Sequence, residues 1–349
     1  MHPARPVLFE LLSGLAVLGL ATFVFVAAQQ PYAVPARSSF ANSAPEPPVA
    51  YGRLTQVDGR VRDVGNTSTA SDSAHGDSRN VVTIPPCDAS GGMGLSRIVE
   101  IDSTGGPEFG FQHLKGYDFL RDKEVVLTFD DGPWPDNTAA VLKALKEQCL
   151  KATFFEIGEH ASWHPEITRQ VIEAGMTLGT HTWSHKDLAR NPFASDIERA
   201  EQEIELGNSA VHMAAAGAAI APFFRFPDLM QTRQQLEYLA KRNIAIFSTD
   251  IDSRDFAMHK PEQVIESVMS QLERRGKGII LMHDFHRNTA EALPELLRLL
   301  KDGGYKIVHV VPKAPLTTIP EYDEMLKQEE KLSSNNTRLE RNVVRTIAR

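Results

Sequence analysis

The feature that most constrains the fold is an alternation of short apolar segments with longer amphipathic ones between residues 123 and 311. Residues 124–129, 152–157, 176–180, 222–226, 244–248, 277–282 and 305–310 are short and largely apolar, the pattern of strands buried on both faces. Between them, residues 137–149, 165–174, 196–213, 232–242, 261–275 and 289–301 repeat apolar positions at the spacing of a helix. Gly175 is placed to end the second helix, Ser195 to cap the third, and Pro261 to open the fifth. Roughly seven such repeats predict a mainly parallel α/β sheet with covering helices. The periodicity leaves a closed barrel and an open doubly wound sheet equally available.

The flanks differ in kind. Residues 11–28 carry no charge and are rich in Leu, Val, Ala and Phe, with Arg5 and Glu10 just ahead. The stretch is at the lower limit for a membrane-spanning helix and long for a signal-peptide core, and Val26 with Ala28 forms a small-residue cleavage pattern. Residues 1–29 therefore read as a membrane anchor or a cleaved signal. Either directs the rest of the chain out of the cytoplasm, to a periplasmic or secreted location or to an anchored one at the inner membrane. Residues 30–93 are rich in Pro, Ala, Ser, Gly, Thr and Asp and have too few large apolar groups to offset their ordering entropy, so they read as a flexible linker. Residues 94–312 form the expected folded α/β domain, and 313–349 a charged tail, solvated as helix or disordered. The two cysteines, Cys87 and Cys149, either pair and staple the linker to the domain or remain free thiols. A net charge of −8, with no basic block interleaved with aromatics, argues against nucleic acid as a partner and leaves neutral or cationic glycans.

Polar residues gather at the ends of the expected strands. Asp130 and Asp131 follow the first, His181 and His185 the third, and Arg225 ends the fourth. Asp250, Asp252 and Asp255 follow the fifth, and His283 follows the sixth. The C-terminal ends of parallel strands form the rim where α/β active sites arise. Each residue alone has a bland explanation, a helix cap or a solvated side chain, but the whole set on one rim does not. His181 and His185, four apart on an expected helical turn, present two imidazoles to one side. One carboxylate of the acidic pair completes a facial set for a divalent metal. The other carboxylate is then free to take a proton from water whose pKa the metal lowers. His283 is a third ligand, a core histidine or a general acid, and the last suits an amide whose leaving amine must be protonated. Arg225 is expected to steady Asp130, and Asp255 to orient His283, although either also suits a structural ion pair.

These residues together resemble the polysaccharide deacetylase family, the NodB-homology or carbohydrate esterase family 4 domain, over about residues 123–311. Thr128-Phe129-Asp130-Asp131-Gly132, His181-Thr182-Trp183-Ser184-His185, Arg225-Phe226-Pro227, Asp252-Ser253-Arg254-Asp255-Phe256 and Leu281-Met282-His283 match its five motifs in order. The resemblance implies a deformed (β/α)7 barrel and a divalent metal, usually Zn²⁺, held by Asp131, His181 and His185. It implies Asp130 as general base, His283 as general acid, Arg225 and Asp255 as their supports, and Leu281 beside the acetyl methyl. The implied reaction is attack of metal-bound water on an acetyl group of an N-acetylated or O-acetylated glycan, with a backbone N–H near the third motif steadying the oxyanion. Two departures touch the substrate side: Asp228-Leu229 replaces the usual aromatic and Gly, and Phe256 replaces the usual Trp. A hydrolase of another non-peptide C–N bond, or a glycan-binding module with lapsed catalysis, are the competing expectations.

Overall fold

All seven expected strands form in the computed structural model, which describes residues 61–63, 87 and 91–329. In chain order the strands are β1 (Val61–Asp63), β2 (Leu95–Ile101), β3 (Glu108–Phe109), β4 (Glu124–Asp130), β5 (Thr153–Glu156) and β6 (Thr177–Thr180). There follow β7 (Phe223–Phe224), β8 (Ala245–Phe247), β9 (Ile251–Asp252), β10 (Gly278–His283) and β11 (Lys306–Pro312). The helices are α1 (Asn137–Glu147), α2 (Gly158–Trp163), α3 (Pro165–Glu173), α4 (Ile197–Ala214), α5 (Arg233–Lys241), α6 (Pro261–Arg275) and α7 (Arg287–Asp302). The two- and three-residue strands β1, β3 and β9 and the six-residue α2 are too short to show a period in sequence, and β2, seven residues long, lies ahead of the region where strand and helix alternate. Asp196, not Ser195, caps α4, its side chain accepting from Arg199 N at 3.3 Å. Pro261 opens α6 as expected.

A parallel ladder runs β9-β10-β4-β5-β6-β7-β8-β3. β11 pairs with the first residues of β4 and then with β2, and β1 lies antiparallel on β2. Both faces of the sheet are buried, which is why β4 is buried at every residue and reads as largely apolar. One face carries Val125, Leu127, Phe129, Phe154, Phe224 and Ile280, and packs on the helices through Val141, Leu145, Leu293 and Leu297. The opposite face carries Val126, Phe155, Phe223, Phe247, Ile279 and Val308, and its cluster draws no residue from any helix. A sheet face buried only against strands and their connections is curled around itself. The expected deformed barrel takes this form, a curled parallel sheet covered by helices. Between β8 and β9 the ladder is interrupted, and Asp250 N and Thr249 Oγ1 instead donate to Ile279 O at 2.9 and 2.7 Å. Phe247 stacks on Phe109 at 5.0 Å and meets Phe223 at 4.9 Å inside the curl. Each such ring contributes about 1.5–3 kcal/mol by leaving water.

Two points of structure fall within the segment read as a linker. Val61–Asp63 form β1, and Asp63 pairs with the buried Arg97, which also grips Glu124 at the start of β4 at 2.6 Å. Cys87 is disulfide-bonded to Cys149, whose Cα lies 5.4 Å away, so the open question of pairing resolves to a bridge across 62 residues. The start of the tail carries a mostly exposed helix with an anchoring contact. Residues 320–329 are helical, and Leu326 is buried against Leu206 and Ala210 of α4. Among the described residues no helix is long and apolar enough to cross a membrane, and the N-terminal segment 1–29 lies outside them.

Candidate metal and catalytic site

Strand parity delivers the site. Side chains alternate along a strand, so the residues that share a face with Val126, Phe155, Phe223 and Ile279 continue at the strand ends as Asp130, His181, Arg225, Leu281 and His283. They rise out of the apolar interior into a cleft of about 340 Å³. Its lining includes eight of the ten expected site residues: Asp130, Asp131, His181, His185, Asp228, Phe256, Leu281 and His283. Arg225 and Asp255 stand one layer behind, bonded to Asp130 and His283. Asp252, on β9, also faces the cleft. Asp250 does not; its carboxylate accepts from Phe111 N at 3.1 Å and Ile279 N at 2.8 Å, tying two backbone segments together.

Asp131 Oδ1 lies 3.5 Å from His181 Nε2 and 3.4 Å from His185 Nε2. That oxygen is fully buried and has no hydrogen-bond partner. Three donor atoms around one tetrahedral Zn²⁺, at its usual bond lengths, stand about 3.4 Å apart, so the spacing fits a shared cation. His181 Nδ1 donates to Arg225 O at 2.7 Å, which leaves the Nε2 lone pair aimed at the cluster. Burial pushes the His181 imidazole down to about 4, which keeps it neutral, the state a metal ligand would need. Burial alone would raise the Asp131 carboxyl, but the imidazoles of His283, His181 and His185 hold it below the usual carboxylate range.

The two histidines do not share a helical turn, as their spacing suggests. They lie on an irregular loop in which Thr182 and His185 take left-handed φ values of 66° and 53°. The coil brings the rings to 4.9 Å. Ser184 is pinned to Glu203 of α4, and Thr182 Oγ1 accepts from His185 N at 3.0 Å. Asp131 is left-handed too, at φ 70°. Such conformations cost of order 1–3 kcal/mol each and persist where the surroundings over-determine them.

Asp130 is held on one side by Arg225 Nη1 at 2.7 Å. The same nitrogen donates to Thr128 Oγ1 at 2.7 Å, while Nε and Nη2 donate to Phe247 O and Ser248 O at 3.1 and 2.9 Å. The guanidinium also lies over the Phe155 ring at 4.4 Å. His283 Nδ1 meets Asp255 Oδ1 at 2.5 Å, and His283 N donates to Asp255 Oδ2 at 2.8 Å. Burial would lower this imidazole, but Asp255, with Asp131 and Asp130 further off, more than offsets it and pushes it up to about 10. Phe256 stands edge-on to His283 at 5.9 Å and is 57% exposed at the mouth. Asp228 is left-handed at φ 53° and solvent-exposed at the cleft.

Sequence reading missed four neighbours. Glu156 and Asp284 are fully buried carboxyls on the helix-covered side, which burial pushes up to about 8 and about 7. Thr168 and Thr138 donate to them. Asp284 packs on Gly132, where an added Cβ would fall 2.5 Å from its carboxylate. His160 Nδ1 meets the Asp131 carbonyl at 2.6 Å, and Gln112 reaches the cleft from the loop after β3. An acid ending an apolar strand, as Glu156 does in Thr153–Glu156, was the available signal.

The model of the family described as "Polysaccharide deacetylase" matches residues 119–246. A peptidoglycan-N-acetylmuramic acid deacetylase of Bacillus subtilis is 30% identical over 209 residues, which cover 60% of this chain and 40% of that protein. A chitooligosaccharide deacetylase of Azorhizobium caulinodans is 32% identical over 163 residues, covering 46% of this chain and 73% of the relative. Among solved structures, a Bdellovibrio bacteriovorus peptidoglycan deacetylase superposes with a TM-score of 0.55 at 31% identity, over 62% of this chain and 59% of the other. The chain thus spans less than two thirds of the first of these curated relatives. With the motif residues around one cleft and matches of this extent, the chain belongs to the polysaccharide deacetylase family.

Proposed function

We propose that the protein is a metal-dependent hydrolase that removes acetyl groups from an N-acetylated glycan outside the cytoplasm. The observation that carries this reading is the buried, unpartnered Asp131 Oδ1 facing His181 and His185, with a separate Asp130–Arg225 pair and Asp255–His283 pair on either side. Two imidazoles and one carboxylate suit Zn²⁺ among the divalent metals. A cation bound there supplies the Lewis acidity that makes water nucleophilic near neutral pH.

The remaining steps belong to the chain's own groups. Asp130, held and aimed by Arg225, takes a proton from the attacking water. The backbone N–H of Asp228, a left-handed residue in the cleft lining, steadies the oxygen that gains charge. His283, protonated and oriented by Asp255, gives its proton to the departing nitrogen as the C–N bond breaks, releasing acetate and a free amine. Leu281 and Phe256 supply apolar surface for the acetyl methyl. The names of the relatives point to peptidoglycan or a chitin-like oligosaccharide as substrate. The Cys87–Cys149 bridge supports an oxidising, extracytoplasmic compartment, and the N-terminal apolar segment supports export. The test is acetate release from acetylated glycans by Zn²⁺-loaded protein, with and without chelator. Chelator should abolish release, and readdition of metal should restore it. Release from none of the glycans would overturn the reading.

A further inference from the structure

Beside the cleft lies a set of rings that the reaction does not use. His160, fixed by its bond to the Asp131 carbonyl, stands 5.1 Å from Trp163 and 5.2 Å from Trp134. Its ring is nearly parallel to Phe285, at 5.7 Å and 12°. Phe285 meets Trp134 at 4.5 Å and His286 at 5.3 Å, and His286 meets His283 at 5.9 Å. Ring contacts therefore run unbroken from the proton donor to Trp163. Two of the chain's three tryptophans belong to this ledge.

The outer end of the ledge is open. Trp163 is 57% exposed, as is Phe256, which meets His283 edge-on. A single exposed aromatic residue is unremarkable on a soluble protein. This one is continuous, ring by ring, with a cleft whose substrate is a polymer that must run past the rim. Pyranose rings present a face of polarised C–H groups, and aromatic faces carry the complementary negative charge.

We infer that Trp163 forms a second sugar-binding surface, on which a residue of the glycan neighbouring the one being deacetylated stacks, while the ledge of His160, Trp134 and Phe285 holds the indole in place. This rests on the deacetylase reading above and deepens it: the preferred substrate is an oligomer long enough to cover both His283 and Trp163. A glycan chain lying over His283 meets one exposed ring at Phe256 and, along the ledge, a second at Trp163.

The experiment is steady-state acetate release from N-acetylglucosamine oligomers, dimer through hexamer, by wild type, Trp163→Ala and Trp163→Phe. Trp163→Ala should raise KM for the hexamer about tenfold, the loss of one stacked ring, with kcat little changed. The advantage in kcat/KM of hexamer over dimer should shrink by the same factor, and Trp163→Phe should retain most of it. A length advantage in Trp163→Ala within twofold of wild type would overturn the inference while leaving the deacetylase reading intact. If Trp163→Ala fails to fold, seen as loss of the circular dichroism signal, Trp163→Phe and Trp163→Lys decide by the same ratio. If wild type releases no acetate from any oligomer, the deacetylase reading fails instead. Calorimetric binding of the hexamer to wild type and Trp163→Ala then tests the stacking surface by itself: equal affinities would sink it.

Discussion

Replacing Arg225 by Lys keeps the charge beside Asp130 and removes the fork that distributes it. The Arg225 side chain is wholly buried and donates to four acceptors, on the side chains of Thr128 and Asp130 and on the backbone of Phe247 and Ser248. Lysine offers three donors from one atom and cannot serve acceptors spread across two strands. At least two of them lose their partner, and each buried acceptor stranded in this way costs about 1–3 kcal/mol. Taking about 4 kcal/mol for the pair, and about 2–4 °C per kcal/mol for a domain of this size, Arg225→Lys should melt about 8–16 °C below wild type. Arg225→Met should melt lower still, because it also leaves the Asp130 charge uncompensated in the interior. Activity of the lysine variant should drop about a hundredfold through misplacement of the base. The assay is thermal unfolding in chelator, so that metal binding does not mask the loss, with kcat/KM measured on metal-loaded protein. A lysine variant melting within about 2 °C of wild type would refute the claim that these bonds hold the strand ends together.

His181→Ala should lose bound Zn²⁺, whereas Asp130→Asn should keep it and lose turnover. Elemental analysis and acetate release together check this, and equal metal loss in both would reverse the roles given to the two aspartates. Asp255→Asn removes the main group raising His283, so the basic limb of the kcat–pH profile should move to lower pH. Because the folded pKa of His283 is raised from about 6.5 to about 10, the stability it contributes is complete below about pH 6.5 and is lost as pH rises towards 10; denaturant midpoints across that window should show a wild-type decline that Asp255→Asn lacks. Cys87→Ser opens a 62-residue loop and should cost about 4 kcal/mol by the chain-entropy estimate, read as a lower denaturant midpoint.

Most of the residues that gather at the cleft were legible because they sit where strands end, and strands long enough to be buried announce themselves as apolar runs. What the runs hide is facing. In β4 every residue from Glu124 to Asp130 is buried, so the sequence shows no alternation from which to tell the interior of the curl from the helix-covered side. For that reason Glu156 and Asp284 escaped notice although they lie next to the site, one position out of phase with His283 and the Thr153–Phe155 face. The histidine pair failed in a different way. Its four-residue spacing fits a helical turn, and only the packing of α4 and two left-handed residues give the loop that is present instead.

The same phase argument explains how the acidic residues at this rim are sorted. Positions in phase with the curl's interior are Thr128, Asp130, His181, Arg225, Leu281 and His283; Asp130, His181, Leu281 and His283 line the cleft, and Thr128 and Arg225 stand behind it, bonded to one another and, through Arg225, to Asp130. Asp131 is adjacent to Asp130 in sequence and, had β4 continued, would face the helices. The chain instead turns at Asp131 with φ 70°, which swings its carboxylate back towards His181 and His185. Asp284, one residue past His283, has no such turn and stays on the helix side, packed on Gly132 and bonded by Thr138. Two acidic residues that each follow a cleft residue thus take different environments because one has a left-handed backbone and the other does not. Gly132 is what lets both fit, since any side chain there would collide with the Asp284 carboxylate. An alanine at position 132 should therefore disturb the Asp131 turn from behind, weakening metal retention without touching any group in the cleft.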